Sequence, residues 1–339
     1  MRESERSVPA ESGTTVAAIE VKDLSVEYRS GGSIVQAVNH ISFKLDSGKC
    51  LGLVGETGAG KTSTALALMR LLPERVSHVP NGEIYLKGSN IMEIPESHMK
   101  LMRGAIISMI FQDPMTALNP IMSVGNQIRE AVKIHAGKKM SKAEIDQRVD
   151  EVLEMVGIPA QRRNDYPLQF SGGMKQRVVI ALALACSPDI LIADEPTTAL
   201  DVTIQAQVLS LIEELKQKLG TSLIMISHDL GVVVRTCDVV GIMYAGEIIE
   251  YGTVEQIYSP GDHHPYTVGL FNAIPNVKDK VKRLKPIDGL MPDPTNLPTG
   301  CKFFPRCPQC MERCCREEPP EYTKNGHRIR CHLYGGREA

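Results

Sequence analysis

One segment of the 339-residue chain, GETGAGKT at 55–62, has the residue types and spacing of a phosphate-binding loop. Glycines at these positions let backbone N–H groups turn inward around phosphate oxygens. Lys61 adds a positive charge, and the Thr62 hydroxyl can ligate Mg²⁺. The pattern predicts a nucleoside triphosphate site, whose residues in and directly after this segment are Gly55, Gly58, Ala59, Gly60, Lys61, Thr62 and Ser63.

Two acidic residues and a histidine follow apolar runs farther along the chain. Asp194 comes directly after ILIA and can hold magnesium through its water shell, while Glu195 can orient and polarise an attacking water. An acidic pair after a strand can also be a solvated loop, but the upstream phosphate loop favours catalysis. His228 follows SLIMIS at 222–227, and ligands gather at such strand ends in open α/β sheets.

A second anion-binding surface is predicted at FSGGM, residues 170–174. Ser171 is a natural helix N-cap. The backbone N–H groups of Gly172 and Gly173, together with the helix dipole, favour a bound anion. The chain carries one phosphate loop, and one phosphate needs only one cradle, so the second surface is in excess of what a single site requires.

The elements that must position these residues can be located from periodicity. Alternating apolar positions predict an antiparallel pair of strands at 19–28 and 34–45. Helices are predicted at 62–72, at 141–157 with Ser141 and Glu144 as a capping box, and at 203–219. Buried strands are predicted at 189–194 and 222–227. This alternation indicates an α/β fold with a mainly parallel, helix-covered sheet.

The order of phosphate loop, Ser-Gly-Gly segment and acidic strand end resembles the nucleotide-binding subunits of ABC transporters. The resemblance implies the P-loop NTPase fold of an ABC cassette, with a mainly parallel sheet, an antiparallel β subdomain and a helical subdomain. It also implies an ATP hydrolase with ATP and Mg²⁺ bound. The Ser-Gly-Gly segment would close over ATP held by a second subunit, and Asp201, in the ALD at 199–201, would lie on the loop that crosses that interface.

Further roles come from the same resemblance. Gln112, in MIFQDP, would touch Mg²⁺ and the water while its loop faces the membrane subunits, although a Gln before Asp-Pro can be an ordinary turn residue. The magnesium site would thus comprise Thr62, Gln112 and Asp194. His228 would contact the γ-phosphate. Tyr28 would stack on adenine, although a strand-end tyrosine also commonly packs on its own sheet.

Several stretches resemble the peptide-importer branch of this family. Met174 stands where the family at large most often has Gln, but FSGGMKQRVVIALAL and HHPYTVGL (263–270) are typical of oligopeptide and dipeptide importers. The resemblance implies a heterodimer with a second ATPase subunit, two transmembrane permease subunits and an external substrate-binding protein. Importers of nickel or other small solutes are an alternative, and a soluble ABC ATPase acting on DNA or ribosomes is a less favoured one.

Six of the nine cysteines fall between residues 301 and 331. The pattern matches a peptide-importer extension that in some members carries an iron–sulfur cluster, and four thiolates are the usual complement. The family pattern assigns a [4Fe-4S] cluster to Cys301, Cys307, Cys314 and Cys331. Cys310 and Cys315 are additional, and Zn²⁺ or no metal remain alternatives.

Composition limits the function classes and suggests a division into domains. The net charge of −2 shows no electrostatic footprint for nucleic acid, and no apolar run reaches the roughly 20 residues of a membrane span. The charged N-terminus does not resemble a signal peptide, so we expect a protein at the cytoplasmic face of the membrane, held there by the permease subunits. The predicted division is a flexible tail at 1–17, a nucleotide-binding domain at 18–258 and a Pro- and Cys-rich extension at 259–339.

Overall fold

A computed structural model describes residues 17–136, 140–198, 200–273 and 287–335. The predicted flexible tail lies outside these residues except for Ala17, which begins the first strand. Ala199 of the ALD segment is likewise outside the described part.

The described residues form two sheets. Their strands are β1 (Ala17–Ser30), β2 (Ser33–Asp46), β3 (Cys50–Val54), β4 (Ser77–His78), β5 (Glu83–Leu86), β6 (Ser89–Asn90), β7 (Ile107–Ile110), β8 (Ile190–Asp194), β9 (Ser222–Ser227), β10 (Val239–Tyr244), β11 (Glu247–Thr253), β12 (Glu321–Lys324) and β13 (His327–Arg330). The smaller sheet is antiparallel, with order β2-β1-β5-β6 and β4 paired to β1. Its β1–β2 hairpin confirms the predicted strand pair.

The larger sheet has the order β12-β13-β11-β10-β3-β9-β8-β7. The strands from β10 to β7 run parallel to one another, whereas β11, β13 and β12 continue the sheet in antiparallel pairs. The parallel strands β3, β8 and β9 are buried along their whole length, which explains their continuous apolar sequences. The predicted buried strands at 189–194 and 222–227 are β8 and β9.

Helices cover the larger sheet and build a separate layer. They are α1 (Lys61–Leu68), α2 (Glu96–Met102), α3 (Pro114–Ala117), α4 (Val124–Ala136), α5 (Lys142–Met155), α6 (Gly172–Leu184), α7 (Val202–Leu219), α8 (Leu230–Thr236), α9 (Val254–Tyr258) and α10 (Pro265–Asn272). Helices α4, α5 and α6 pack on one another around buried Ile128, Val149 and Val178. The mainly parallel sheet, antiparallel sheet and helical layer together confirm the predicted fold class.

Helix α1 is shorter than predicted, and α5 follows its prediction closely. Helix α1 ends at Leu68 because Arg70 adopts a left-handed backbone conformation, φ 48°, and donates from its guanidinium to the Ile91 and Ile94 carbonyl oxygens at 2.9 and 2.7 Å. In α5, the Ser141 Oγ accepts from the Glu144 N–H at 3.3 Å, and the Glu144 carboxylate accepts from the Ser141 N–H at 2.6 Å. The predicted capping box is therefore present.

The C-terminal residues join the larger sheet. The β12–β13 hairpin pairs with β11 through Glu250 opposite Ile329 and Tyr251 opposite Arg328. Glu250 is buried and accepts hydrogen bonds from His263 Nδ1 at 2.7 Å and His327 Nε2 at 2.9 Å. The extension is thus continuous with the main sheet, and the predicted domain boundary at residue 259 stays a prediction.

Candidate active site

The predicted chemistry-bearing residues meet where the parallel strands end. The phosphate loop follows β3, Asp194 ends β8 with Glu195 directly after it, and His228 follows β9. Carboxyl ends of parallel strands are where α/β sheets bind ligands. A cavity of about 480 Å³ lies there, lined by Tyr28, Val35, Ala37, Thr57, Gly58, Gly60, Lys61, Thr62, Ser63, Gln112, Glu195, His228 and Pro294.

Two glycines of the phosphate loop are required by close backbone approach. A Cβ at Gly55 would lie 2.2 Å from the Met243 carbonyl oxygen. Gly60 has φ 98°, and a Cβ there would lie 2.3 Å from the Ala37 carbonyl oxygen. Gly55 and Ala59 are buried and do not line the cavity themselves.

Lys61 and Asp194 form the charged floor of the site. The Lys61 ammonium donates to the Gly55 carbonyl at 2.7 Å and the Glu56 carbonyl at 3.0 Å, and burial lowers its pKa. Asp194 is 2% exposed, and burial raises the pKa of its carboxyl while a hydrogen bond from the Thr62 hydroxyl opposes that shift. The Asp194 Oδ1 atom is buried and has no hydrogen-bond partner. A buried oxygen anion without a partner, beside a threonine hydroxyl, fits a hard divalent cation such as Mg²⁺.

The Glu195 carboxylate is the centre of a polar cluster. Its Oε2 accepts from Gln112 Nε2 at 2.9 Å and from the Thr198 hydroxyl at 3.0 Å, and His228 Nδ1 lies 3.4 Å from its Oε1. The Glu195 backbone has φ 45°, a conformation that non-glycine residues hold only when the surrounding structure imposes it. The three residues predicted to be catalytic are therefore in one place. Thr198 was missed, although its position three residues after Glu195 is a usable local signal.

Tyr28 also lines the cavity. Its hydroxyl donates to Ser63 Oγ at 3.2 Å, which ties the end of β1 to helix α1. Pro294 lines the same cavity, and its carbonyl oxygen accepts from the Gln36 N–H at 2.9 Å. Pro294 could not be predicted, because its partner Gln36 lies 258 residues earlier in the chain.

The Ser-Gly-Gly segment lies outside this cavity and starts α6. Ser171 Oγ caps the helix by accepting from the Met174 N–H at 3.4 Å, and Ser171 and Gly172 are exposed. Gly173 packs against α7, where a Cβ would lie 2.7 Å from the Ile204 Cγ2. Asp201, also exposed, caps α7 by accepting from the Ile204 N–H at 3.0 Å. The predicted signature residues thus form a surface of their own, apart from the phosphate loop.

Met174 makes contacts within its own chain. Its sulfur lies 3.5 Å from the Arg162 Nη1, and the Arg162 guanidinium lies 4.3 Å from the centre of the Phe170 ring. The Arg162 guanidinium thus contacts both the Met174 thioether and the Phe170 ring. These contacts leave the capping Ser171 and the helix N-terminus intact.

The cysteines of the C-terminal region divide by exposure. Cys301, Cys314 and Cys331 are buried and Cys307 is partly buried, whereas Cys310 and Cys315 are exposed. Burial and the neighbouring thiols Cys314, Cys331 and Cys307 raise the pKa of Cys301 to about 12. The four cysteines assigned by the family pattern are therefore the less exposed ones of the six. In the described part of the chain, the group of three or more His, Cys, Asp or Glu residues whose potential ligand atoms lie within 4.8 Å of one another is Glu250, His263 and His327.

Comparisons with known proteins agree with this geometry. The ABC transporter family model matches residues 38–198, and the model of the oligopeptide/dipeptide transporter C-terminal region matches residues 249–314. The dipeptide transport ATP-binding protein DppD of Bacillus subtilis (strain 168) is 48% identical over 93% of this chain and 94% of its own length. The oligopeptide transport ATP-binding protein OppD of Escherichia coli (strain K12) is 45% identical over 96% of both chains.

A solved structure supports the fold. A dimeric post-hydrolysis structure of the ATP-binding cassette MJ0796 bound to ADP and Pi superposes with a TM-score of 0.63 at 25% identity, covering 70% of this chain and 98% of that one. No helix in the ranges that the structure describes is long and apolar enough to cross a membrane. The chain therefore belongs to the ABC transporter family of ATP-binding proteins, and it carries the C-terminal region of the oligopeptide/dipeptide transporters.

Proposed function

We propose that this protein is the ATP-binding and ATP-hydrolysing subunit that powers a membrane importer of di- or oligopeptides. The observation that carries the proposal is the position of Glu195, held by Gln112 and beside His228, in the cavity of the phosphate loop. The relatives with 43–48% identity are named as ATP-binding proteins of dipeptide, oligopeptide or peptide transport.

The roles follow from the positions of the side chains. The loop N–H groups and Lys61 would bind the β- and γ-phosphates of ATP. Asp194, Thr62 and Gln112 would hold Mg²⁺, which supplies charge neutralisation for the phosphates. Glu195 would accept the hydrogen bond of the attacking water and take its proton as the water oxygen bonds to the γ-phosphorus and the bond to the ADP oxygen breaks. His228 would donate to the γ-phosphate, and the Tyr28 ring would stack on adenine.

The Ser-Gly-Gly segment points to a composite site. Ser171 and Gly172 are exposed at a helix N-terminus, and Asp201 is exposed at the next one, so these groups are free to serve ATP held by another chain. We propose a heterodimer with a second ATPase subunit, in which each chain's signature residues complete the partner's site. Hydrolysis then depends on ATP-driven closure of the dimer.

Glu195→Gln tests this assignment in the assembled transporter. The amide cannot accept the water proton, so ATP turnover should fall by at least about 100-fold while ATP binding is retained. The variant should also accumulate the closed ATPase dimer, measured by crosslinking or light scattering. Glu213→Gln, which changes a charge on α7, is the control and should leave turnover unchanged. Wild-type turnover in Glu195→Gln would refute the role of Glu195.

The permease subunits would dock near the Gln112 loop. Ile121 is 83% exposed and Leu168 is 77% exposed. The segments that hold them are joined by a hydrogen bond from the Val124 N–H to the Asp165 carbonyl at 2.9 Å. Exposed apolar side chains on neighbouring segments suit a protein partner. This docking would hold the chain at the cytoplasmic face of the membrane. On the opposite face, an external substrate-binding protein would deliver peptide to the permeases.

We further propose that Cys301, Cys307, Cys314 and Cys331 hold a [4Fe-4S] cluster. These four less exposed thiols supply the usual ligand set. Four thiolates around one tetrahedral zinc would have sulfur atoms about 3.8 Å apart, given Zn–S bonds of about 2.3 Å. Among the described residues no group of three or more cysteine sulfurs lies within 4.8 Å of one another, a spacing wider than that of a single Zn²⁺ site, and this supports a larger group for the quartet.

Anaerobic purification tests the cluster. The protein should be brown and contain iron and sulfide in a ratio near one, and the colour should be lost in Cys314→Ser. Cys310→Ser is the matched control, because Cys310 is an exposed cysteine of the same segment and its loss should leave the colour unchanged. A colourless protein containing zinc alone would contradict the proposal.

A further inference from the structure

A residue of the C-terminal region forms an ion pair with the phosphate loop of its own chain. Arg306 lies on a 3-10 turn, Phe304–Arg306, between Cys301 and Cys307. Its Nη1 donates to Glu56 Oε2 at 2.7 Å, and its Nη2 donates to Glu56 Oε1 at 3.1 Å. Two parallel bonds between a guanidinium and a carboxylate fix direction as well as distance. The pair joins residues 250 positions apart.

Glu56 is the second residue of the phosphate loop, and its backbone is also held on both sides. Its N–H donates to the Tyr266 hydroxyl oxygen at 3.0 Å. Its carbonyl oxygen accepts from Lys61 Nζ at 3.0 Å and from the Ala59 N–H at 3.1 Å. A displacement of the Glu56 side chain would therefore move the atoms that align Lys61 and the loop N–H groups.

Arg306 is itself fixed on the side away from the loop. Its side chain is 5% exposed, and it donates to the Asp288 carbonyl at 3.0 Å and the Ile287 carbonyl at 3.3 Å. The Tyr244 hydroxyl lies 3.4 Å from its Nη1. An arginine held by this many acceptors makes a rigid anchor, because little side-chain freedom remains to be lost.

We propose that Arg306 is a positioning residue for the ATP site: through Glu56 it holds the phosphate loop in the form that receives the triphosphate. This inference rests on the proposed ATP site. Binding groups on a loop need support from surrounding residues to stay within a fraction of an ångström of their working geometry. Through Arg306, the C-terminal region thus contributes to ATP binding, although Arg306 itself does not contact the nucleotide.

Nucleotide affinity tests the proposal with the full chain. Arg306→Gln removes the charge and the bidentate fit, and we expect its Kd for Mg-ATP to rise about tenfold, with a smaller rise for Arg306→Lys. Glu56→Gln should have a similar effect. The double variant Glu56→Gln/Arg306→Gln should bind Mg-ATP no more weakly than either single variant, because both changes break the same interaction. In the assembled transporter the loss should fall mainly on KM for ATP.

Controls separate positioning from general stability. Arg316→Gln removes an exposed arginine of the same region. Arg316 pairs with Glu312, and both side chains are at least three-quarters exposed. This variant should bind ATP as the wild type does. Affinity for adenosine, which lacks phosphates, should not change in Arg306→Gln. If Arg306→Gln does not fold, the Mg-ATP affinity of Glu56→Gln tests the same ion pair, because the Glu56 side chain is partly exposed.

Two negative outcomes are distinguishable. If Lys61→Ala retains full ATP affinity, the proposed ATP site is wrong. If Lys61→Ala abolishes binding while Glu56→Gln and Arg306→Gln stay within twofold of wild type, the ATP site stands and the positioning role of Arg306 is overturned. Equal losses of ATP and adenosine affinity would also overturn it.

Discussion

At the scale of single residues, two acidic side chains of the site have surroundings that are unusual in a folded protein. Asp194 has a buried oxygen with no hydrogen-bond partner, and Glu195 is held in a left-handed backbone conformation by its neighbours. An unpaired buried acceptor costs free energy unless a ligand satisfies it. Both features are consistent with the proposed roles of these residues in Mg²⁺ binding and catalysis.

Local motifs made most of these residues predictable. The phosphate loop, Glu195 and Ser171 each belong to a short segment whose chemistry depends on neighbours in sequence. Arg306 could not be predicted, since its partner Glu56 is 250 residues away and the pair has no periodicity or spacing rule. The contact of Pro294 with Gln36 was missed for the same reason.

A buried histidine gives a prediction for pH. His264 is 1% exposed and caps α10 by accepting from the Tyr266 N–H through Nδ1 at 3.1 Å, and burial lowers its pKa to about 4 from the ordinary value of 6.5. Between pH 6.5 and 4 the unfolded chain binds a proton that the folded chain rejects, so stability falls as pH falls. At pH 5 this costs about 2 kcal/mol.

His264→Asn should reduce this loss of stability. Asparagine can accept the same capping hydrogen bond but does not titrate. We expect the fall in Tm between pH 7 and pH 5 to be smaller in His264→Asn than in the wild type, measured by thermal unfolding. His98→Asn, at an exposed histidine, should follow the wild-type curve. Parallel curves for His264→Asn and the wild type would contradict the assignment.

At the scale of elements, helix ends were well predicted where a side chain fixes them. Ser141 and Glu144 predicted the start of α5, and the structure has that capping box. The predicted end of α1 was wrong, because the actual end depends on hydrogen bonds from Arg70 to the carbonyl groups of residues 91 and 94. Sequence-local signals thus locate a helix boundary only when the capping group is itself local.

The capping box of α5 can be tested by substitution. Ser141→Ala leaves the Glu144 N–H without its side-chain acceptor, and we expect a loss of about 1 kcal/mol in the free energy of unfolding, seen in urea titrations. Gln147→Ala, which removes an exposed hydrogen bond to Glu151 on the same helix, should cost less than about 0.5 kcal/mol. Equal costs for the two variants would count against the cap.

At the scale of the whole molecule, the sheet order brings the phosphate loop, Glu195 and His228 together, and the alternation of strands and helices predicted this α/β arrangement. It did not predict that the C-terminal hairpin would continue the same sheet. Strand pairing between β11 and β13 depends on contacts across about 80 residues, for which no local pattern exists.

The permease-docking surface gives a prediction for the assembled transporter. Ile121→Asp places a charge on the exposed patch of Ile121 and Leu168, and burying that charge against an apolar partner is unfavourable. We expect this variant to bind ATP normally but to copurify with the permease subunits at a yield at least about tenfold lower. Leu101→Asp, at an exposed leucine on α2, is the control and should copurify normally. Normal copurification of Ile121→Asp would place the docking surface elsewhere.

The pairing of β13 with β11 has a consequence for any shortened form of the chain. A chain cut after Tyr258 would lose β12 and β13, and the outer backbone groups of β11 would face solvent next to Ile248 and Ile249. Unprotected edge strands of this kind are templates for pairing with other molecules. The C-terminal hairpin therefore also shields the sheet from aggregation, and inactivity of such a fragment could arise from self-association alone.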